Sequence, residues 1–173
     1  LNAAVLVSIV SITGWGAPDT RLADAAKSKD SQAVRALLTQ KVDPNSPGRD
    51  GTPALLWVVR VDDLETAKLL IQAGADVKRA NSYGVTALYL ACANGNAAMI
   101  NTLLAAGADP NSADPTGETS LMTASTVGDI ESVRTLLDHG ANVNAREPAY
   151  QQTAIMYAIR ENHPDVVRLL ITA

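Results

Sequence analysis

The stretch from Tyr83 to Asp109, YGVTALYLACANGNAAMINTLLAAGAD, holds two apolar patches separated by a polar Gly-Asn break. In the second patch the apolar residues recur every three or four positions, as at Met99 and Leu103, and this spacing is typical of an amphipathic helix. Gly107 follows the second patch and suits the left-handed residue that ends a helix, because it has no Cβ to clash there. The stretch therefore predicts two short antiparallel helices and a turn.

The same plan recurs along the chain at a fixed period. Gly-Ala-Asp or Gly-Ala-Asn triplets begin at three glycines that are 33 residues apart: Gly74, Gly107 and Gly140. Five aliphatic pairs follow one another in steps of 33, 33, 33 and 34 residues: Leu37-Leu38, Leu70-Ile71, Leu103-Leu104, Leu136-Leu137 and Leu170-Ile171. A fixed period of this length is typical of repeat proteins, whose units bury their apolar faces against one another. We therefore predict five repeats, at residues 19–47, 48–80, 81–113, 114–147 and 148–173.

The third unit resembles the ankyrin repeat. Its residues are similar to the family's Gly-x-Thr-Pro-Leu, Ala, Gly, Leu-Leu and Gly-Ala-Asp positions at Gly84, Thr86, Ala87, Leu88, Ala91, Gly95, Leu103, Leu104, Gly107, Ala108 and Asp109. The resemblance covers residues 19–171, although the other four units match less completely. It implies an all-α ankyrin repeat solenoid of about five stacked helix-turn-helix units with β-hairpin-like tips. The whole chain also resembles the signal-bearing ankyrin repeat arrays of bacteria.

The phase of the repeat decides how the second unit begins. Three turn glycines are 33 residues apart: Gly51, Gly84 and Gly117. Pro53, and not Thr52, therefore takes the position of Thr86 and Thr119, so the apparent Thr-Pro motif is one residue out of place. A threonine at this position can accept a hydrogen bond from a free backbone N–H of the first helix, which contributes about 1 kcal/mol. We expect a less well capped first helix in the second unit, unless Thr52 compensates.

Two turns depart from the repeat pattern. Lys41 stands where other units have the glycine that ends the second helix, and a Cβ-bearing residue in a left-handed turn costs about 1 kcal/mol. We therefore expect a different turn geometry there, in a first unit whose polar residues suit an N-terminal cap. The fifth unit has one additional residue in AREPAYQQ, and Gln151 replaces the turn glycine. Its tip is expected to deviate from the others.

The two ends of the chain are apolar. Residues 1–12 carry no charge and are followed by TGWGAPD, so residues 1–17 resemble the apolar region of an incomplete secretory signal. A hydrophobic helix that caps the first repeat and a membrane anchor are the alternatives. The signal interpretation predicts export to the periplasm or the outside of the cell, whereas a capping helix would leave the protein in the cytoplasm.

The last helix, in VVRLLITA, is also apolar. Terminal repeats normally present polar residues outward, so we expect further repeats, or another domain, to follow in a longer protein.

Composition and motifs argue against several functions. A net charge of −4 is unsuited to general binding of nucleic acid, since no excess of cations exists to neutralise phosphates. The single cysteine, Cys92, is expected to be a small buried hydrophobe. We expect His139, His163 and the Asp62-Asp63 pair to have structural or turn roles, and no nucleophile motif or phosphate loop is present. The chain is thus predicted to be no enzyme and to hold no cofactor or metal.

The resemblance to ankyrin proteins implies that a partner meets the hairpin tips and the exposed face of the first helices. Aromatic residues and arginine are the most frequent anchors of protein interfaces. The predicted partner-binding residues are Arg49, Arg60, Tyr83, Glu118, Tyr150 and Arg160. Two alternatives stay open: the tyrosines cover the preceding turns, and the arginines are merely solvated. Core packing is the expectation for five bulky residues on or beside the first helices: Trp57, Tyr89, Met122, Met156 and Tyr157.

We therefore expect a protein-protein interaction scaffold whose concave face binds a partner protein. The chain is expected to be a monomer that contacts no membrane in its mature form. One alternative is a regulatory or targeting segment of a larger, truncated enzyme, and another is a structural spacer that binds nothing tightly.

Overall fold

The computed structural model describes residues 19–173, so the predictions on residues 1–17 lie outside the described residues. The described chain forms ten helices in five antiparallel pairs: α1 (Arg21–Lys27) and α2 (Ser31–Thr39); α3 (Ala54–Arg60) and α4 (Leu64–Gln72); α5 (Ala87–Asn94) and α6 (Ala97–Ala105); α7 (Ser120–Val127) and α8 (Ile130–Asp138); α9 (Ala154–Arg160) and α10 (Pro164–Thr172). Each predicted repeat contains one pair. The prediction of an all-α solenoid is confirmed.

The helices form two layers. The first helices of the pairs (α1, α3, α5, α7 and α9) pack side by side in one layer, and the second helices form the other. Neighbouring first helices contact each other more extensively than neighbouring second helices do. This closer packing puts the first helices on the concave side of the array, together with the hairpin tips.

One continuous apolar core runs between the layers. The same leucine position of the first helix is buried in four successive units: Leu22, Leu55, Leu88 and Leu121. The second helices add Leu70, Leu103 and Leu136, which are also buried. Each such side chain contributes about 1.5–3 kcal/mol when it leaves water, so stability comes from periodic burial between units.

The fifth unit leaves apolar side chains uncovered. Ile159 is 61% exposed, although the equivalent residues of the other units, Ala26, Val59, Cys92 and Ser125, are at most 2% exposed. Ile171 at the end of α10 is 69% exposed. In units one to four, the next unit covers this face.

The turn after α2 has the same geometry as its glycine-bearing equivalents, so the expectation of a different turn is wrong. Lys41 has φ 59°, in the left-handed region, as Gly107 does at φ 95°. The Lys41 N–H donates to the Leu38 carbonyl at 2.9 Å, as the Gly107 N–H does to the Leu104 carbonyl at 2.9 Å. The shared hydrogen bonds fix the backbone, and lysine adopts it at a cost of about 1 kcal/mol.

The tips are short hairpin-like turns. In the third unit the Asn81 N–H donates to the Val85 carbonyl at 3.0 Å, and Asp114 and Glu118 pair in the same way in the fourth. The fifth tip is one residue longer, because the Gln151 N–H donates to the Glu147 carbonyl four residues back. The predicted deviation of this tip is confirmed. Buried Glu147 fills the longer turn, since its carboxylate accepts from three backbone N–H groups, those of Ala149, Tyr150 and Gln152.

The first helices begin in two ways. Thr86 and Thr119 each accept a hydrogen bond from the backbone N–H three residues on, at 3.2 and 3.3 Å. Pro53 occupies the same position with no side-chain cap, and the Leu56 N–H donates to the Pro53 carbonyl instead. The predicted weaker cap of the second unit is confirmed. Thr153 in the fifth unit also makes no side-chain cap, which its residue type did not predict.

Candidate partner-binding surface

The tips and the exposed sides of the first helices form what we call the concave surface. Tyr83 and Tyr150 stand at the tips of the third and fifth units, 77% and 81% exposed. Neither tyrosine therefore covers the preceding turn. The structure places the other four predicted residues on the same surface: exposed Arg49, Arg60 and Arg160, and half-buried Glu118.

Trp57 lies at the centre of the first cluster on this surface. The Lys27 ammonium is 4.7 Å from the ring centroid and the Arg60 guanidinium carbon is 5.7 Å from it. Lys27 also forms an exposed ion pair with Asp50 at 3.3 Å. A cation that is attracted to the face of an indole ring favours one orientation of that ring. We therefore expect the half-buried Trp57 ring to keep a defined orientation.

A groove opens beside this cluster, between the second and third units. It has a volume of about 320 Å³ and is lined by Asp50, Thr52, Leu56, Trp57, Arg60, Asn81, Tyr83, Val85 and Leu90. We call it the Trp57 groove. Two predicted binding residues, Arg60 and Tyr83, meet there. A smaller cavity of about 90 Å³ adjoins it on the side of Arg49 and Lys27.

A second aromatic cluster lies in the fifth unit. The Arg160 guanidinium carbon is 4.6 Å from the Tyr157 ring centroid, and Arg160 pairs with Glu161 at 2.8 Å. Burial raises the pKa of Tyr157, and the neighbouring Glu118 carboxylate raises it further. The pKa of Tyr89 is raised by burial and by the same carboxylate. Both phenols therefore stay neutral and can donate hydrogen bonds.

The core-packing expectation does not hold for three of the five bulky residues on or beside the first helices. Met156, expected in the core, is 45% exposed, because nothing within residues 19–173 packs over its side of α9. Trp57 and Tyr89 are half-buried and line the concave surface.

The core-packing expectation is correct for Met122 and Tyr157, which are buried.

Sequence reasoning missed the pairing of aromatic and cationic residues. Trp57 precedes Arg60 by three residues, and Tyr157 precedes Arg160 by three. Residues three apart on a helix are neighbours on its surface, so this spacing was the signal that could have found both clusters.

The titratable residues singled out by the sequence have structural contacts. Burial raises the pKa of the Cys92 thiol to about 12, so almost no reactive thiolate forms near neutral pH. His163 Nε2 bonds the Thr126 carbonyl at 3.0 Å, and His139 Nδ1 bonds the Thr135 carbonyl at 2.8 Å. Asp63 accepts from the Thr66 N–H and caps α4. Their observed contacts hold turns and helix ends.

Residues 19–173 contain neither a cluster of three potential metal ligands nor a helix that could span a membrane. No three metal-ligating side chains come together in this part of the chain. Among its helices, none has the length and apolar composition that a bilayer crossing would require.

The chain is similar to proteins of one known family. The family model described as ankyrin repeats (3 copies) matches residues 22–114 and 99–173. The Notch-regulated ankyrin repeat-containing protein A of Danio rerio is 31% identical over 98 residues, and the Homo sapiens Notch-regulated ankyrin repeat-containing protein is 30% identical over 100 residues. Each alignment covers 54% of this chain and 88% of the relative. Inversin of Danio rerio is 32% identical over 72 residues, which are 42% of this chain and 7% of inversin. Because the family model matches well over half of its residues, the chain belongs to the ankyrin repeat family.

Proposed function

We propose that this chain is a protein-interaction scaffold that binds a partner protein on its concave surface and acts by binding, not by catalysis. The observation that carries the proposal is the exposure of Tyr83 and Tyr150 on the same surface as two stacked arginine-aromatic clusters. Tyrosine, tryptophan and arginine are enriched among the residues that contribute most to the binding energy of protein interfaces.

The surface is also suited to binding because its backbone is rigid. The tips are held by hydrogen bonds within each hairpin, and the first helices pack against one another. Little conformational entropy is then lost when a partner orders the surface. Membership of the ankyrin repeat family supports a binding role, and the partner-binding residues remain Arg49, Arg60, Tyr83, Glu118, Tyr150 and Arg160.

The binding proposal is tested by a pull-down from native extract with the double variant Tyr83→Ala, Tyr150→Ala. We expect the variant to lose captured proteins, because truncating interface anchors costs about 2 kcal/mol or more each. The matched control is Arg35→Ala, Arg134→Ala, which changes two exposed residues on the second helices. Unchanged capture by the tyrosine variant would mean that the concave surface is not the binding face.

The proposal includes export directed by residues 1–17. Their uncharged apolar sequence supports it, and it predicts a periplasmic or secreted protein. The resemblance to bacterial signal-bearing arrays stays a prediction, since the Danio rerio and Homo sapiens relatives are vertebrate proteins. The test fuses residues 1–25, preceded by Met and two lysines that supply the missing basic segment, to a reporter that is active only after export. An inactive reporter in a bacterial host would count against the proposal.

A further inference from the structure

The charges on the concave surface change sign along the array. The first two units present four cations against three acids: Arg21, Lys27, Arg49 and Arg60 against Asp19, Asp24 and Asp50. The tip and first helix of the third unit, residues 81–94, carry no charge. The last two units present three acids against two cations: Asp114, Glu118 and Glu161 against Arg146 and Arg160. Glu147 is buried and does not add to the charge of this surface. A partner that matches this surface is acidic where it meets the second unit.

Arg60 and Arg49 are unmatched cations. No carboxylate of residues 19–173 lies within ion-pair distance of either, whereas Lys27 is paired with Asp50 and Arg160 with Glu161. The one aromatic contact of Arg60 in this part of the chain, with Trp57, leaves the N–H groups of its guanidinium available to an incoming acceptor. An arginine of this kind binds a carboxylate through two parallel hydrogen bonds.

The Trp57 groove beside Arg60 is apolar at its base. Leu56, which is 2% exposed, forms its floor. Val85 and Leu90 line it, and the rings of Trp57 and Tyr83 border it. Its volume of about 320 Å³ is at the lower end of known ligand sites. It is therefore large enough for one bulky apolar side chain.

We infer that the Trp57 groove binds an extended acidic segment of a partner protein, with one Leu- or Phe-sized side chain between Trp57 and Tyr83 and flanking carboxylates at Arg60 and Arg49. This inference rests on the proposed function and adds the chemistry of the partner. The paired Asp50 carboxylate at the rim does not repel such a segment strongly, because Lys27 offsets its charge.

The inference is tested by selecting a display library of random 12-residue peptides on the full 173-residue chain. The enriched sequences show which chemistry the chain binds. Selections run in parallel on Arg60→Glu and on Arg134→Glu, a matched charge reversal on the second-helix layer. We expect the wild-type chain and Arg134→Glu to enrich Asp and Glu around a Leu, Ile, Met or Phe. The acidic preference should disappear on Arg60→Glu.

The most enriched peptide is then synthesised with a fluorescent label, and its Kd is measured by anisotropy. Arg60→Glu and Trp57→Ala should each weaken binding about tenfold or more, and added salt should weaken wild-type binding. Circular dichroism checks that each variant is folded, and Arg60→Gln provides a milder second variant.

Three outcomes would overturn the inference: selected peptides with no acidic enrichment, the same enrichment on Arg60→Glu, or no binders. The pull-down with the tyrosine variant decides the proposed function separately. Loss of capture there, combined with any of these three outcomes, would leave a scaffold whose partner has a different chemistry.

Discussion

Left-handed residues other than glycine show how strongly the repeat dictates the backbone. Five have φ between 58° and 61°: Lys29, Lys41, Asp62, Gln151 and Asn162. Each stands where a sister unit has a glycine with positive φ. The neighbouring hydrogen bonds and packing impose the conformation, and the residue type sets its cost, about 1 kcal/mol for a side chain that bears a Cβ.

Replacing Lys41 by glycine should therefore stabilise the protein. We expect Lys41→Gly to raise the free energy of unfolding by about 0.5–1 kcal/mol, less than the full strain because glycine also loosens the unfolded chain. Urea denaturation measures the change. The reverse variant Gly74→Lys is the control and should destabilise by a similar amount, since a Cβ at Gly74 meets nothing within 4 Å. A gain in both variants would contradict the strain argument.

Pro53→Thr should also raise the melting temperature. A threonine hydroxyl could accept the Leu56 N–H, as Thr86 accepts the Tyr89 N–H. The gain is expected to be about 0.5 kcal/mol, below the usual value of a cap, because the Pro53 carbonyl already accepts this N–H at 3.1 Å. Differential scanning calorimetry checks it, with Thr86→Pro as the opposite change. A lower melting temperature for Pro53→Thr would mean that the assigned register is wrong.

Phase alone was enough to place Pro53, because spacing is a property of the sequence. The geometry at Lys41 was predicted wrongly because the lysine was judged by its own preference and not by its neighbours' hydrogen bonds. Met156 was predicted wrongly for a related reason. Its equivalents Leu56 and Met122 are buried and Tyr89 is half-buried, so burial at this position is set by the surrounding units and not by the residue type alone.

At the scale of the elements, the later hairpin tips pack closely against one another. A Cβ added to Gly117 would lie 2.2 Å from the Pro148 side chain of the following tip, whereas one added to Gly51 meets only Ser82 at 3.9 Å. Both glycines have similar φ, 87° and 77°. The two positions therefore share the same backbone strain and differ in steric contact.

Comparing Gly117→Ala with Gly51→Ala separates these effects. We expect Gly51→Ala to cost about 1 kcal/mol from strain, and Gly117→Ala to cost a further 1–3 kcal/mol, approximately, because the tips must move apart. Equilibrium denaturation of both variants measures the difference. Equal losses of unfolding free energy in the two variants would show that the close approach of neighbouring tips adds no cost.

The longer fifth tip depends on the charge of Glu147. Hydrogen bonds from the backbone N–H groups of Gln152, Tyr150 and Ala149 lower the pKa of Glu147, against burial, which raises it. A lowered folded-state pKa means that the carboxylate contributes stability above its unfolded value of 4.5. This contribution is lost as the pH falls through the folded pKa.

Glu147→Gln should therefore melt at a lower temperature than the wild type at pH 7. The difference should narrow as the pH falls below 4.5, because the wild-type carboxylate is then protonated too. Melting curves between pH 3 and pH 7, roughly the range in which carboxyl groups titrate, measure this. Glu65→Gln, at an exposed position of α4, serves as the control. A difference in melting temperature that stays constant with pH would rule out a role for the negative charge of Glu147.

The helices and the outlier tip were predictable, since period, apolar spacing and the additional residue are all visible in the sequence. The tip-to-tip contacts were not, because Gly117 and Pro148 belong to different units and their approach depends on how the units stack.

At the scale of the whole molecule, burial depends on having a neighbour on both sides. Val59 and Ile159 occupy equivalent positions, yet Val59 is fully buried and Ile159 is 61% exposed. We expect Val59→Ala to cost about 2 kcal/mol through lost burial and a cavity, and Ile159→Ala to cost less than about 0.5 kcal/mol. Urea midpoints compare the two variants in the full chain. A similar cost for both would mean that something else covers the α9 face in solution.

The Trp57 groove also belongs to this scale. Its walls come from two units, so Arg60 and Tyr83 could be predicted individually as exposed anchors while their meeting in one groove could not. The change in the sign of the surface charge along the array, in contrast, can be predicted from the sequence. Once the register of the repeats is known, the residues of each tip and first helix are known too.

Cys92 gives the array an internal reporter. It is a single thiol in the middle unit, fully shielded by the units on either side, and it can react only when that region opens. The rate at which an aromatic disulfide reagent modifies the native protein would thus report how often the centre of the stack separates, without any engineered label. Comparing that rate with global unfolding would reveal whether the five units come apart together or one at a time.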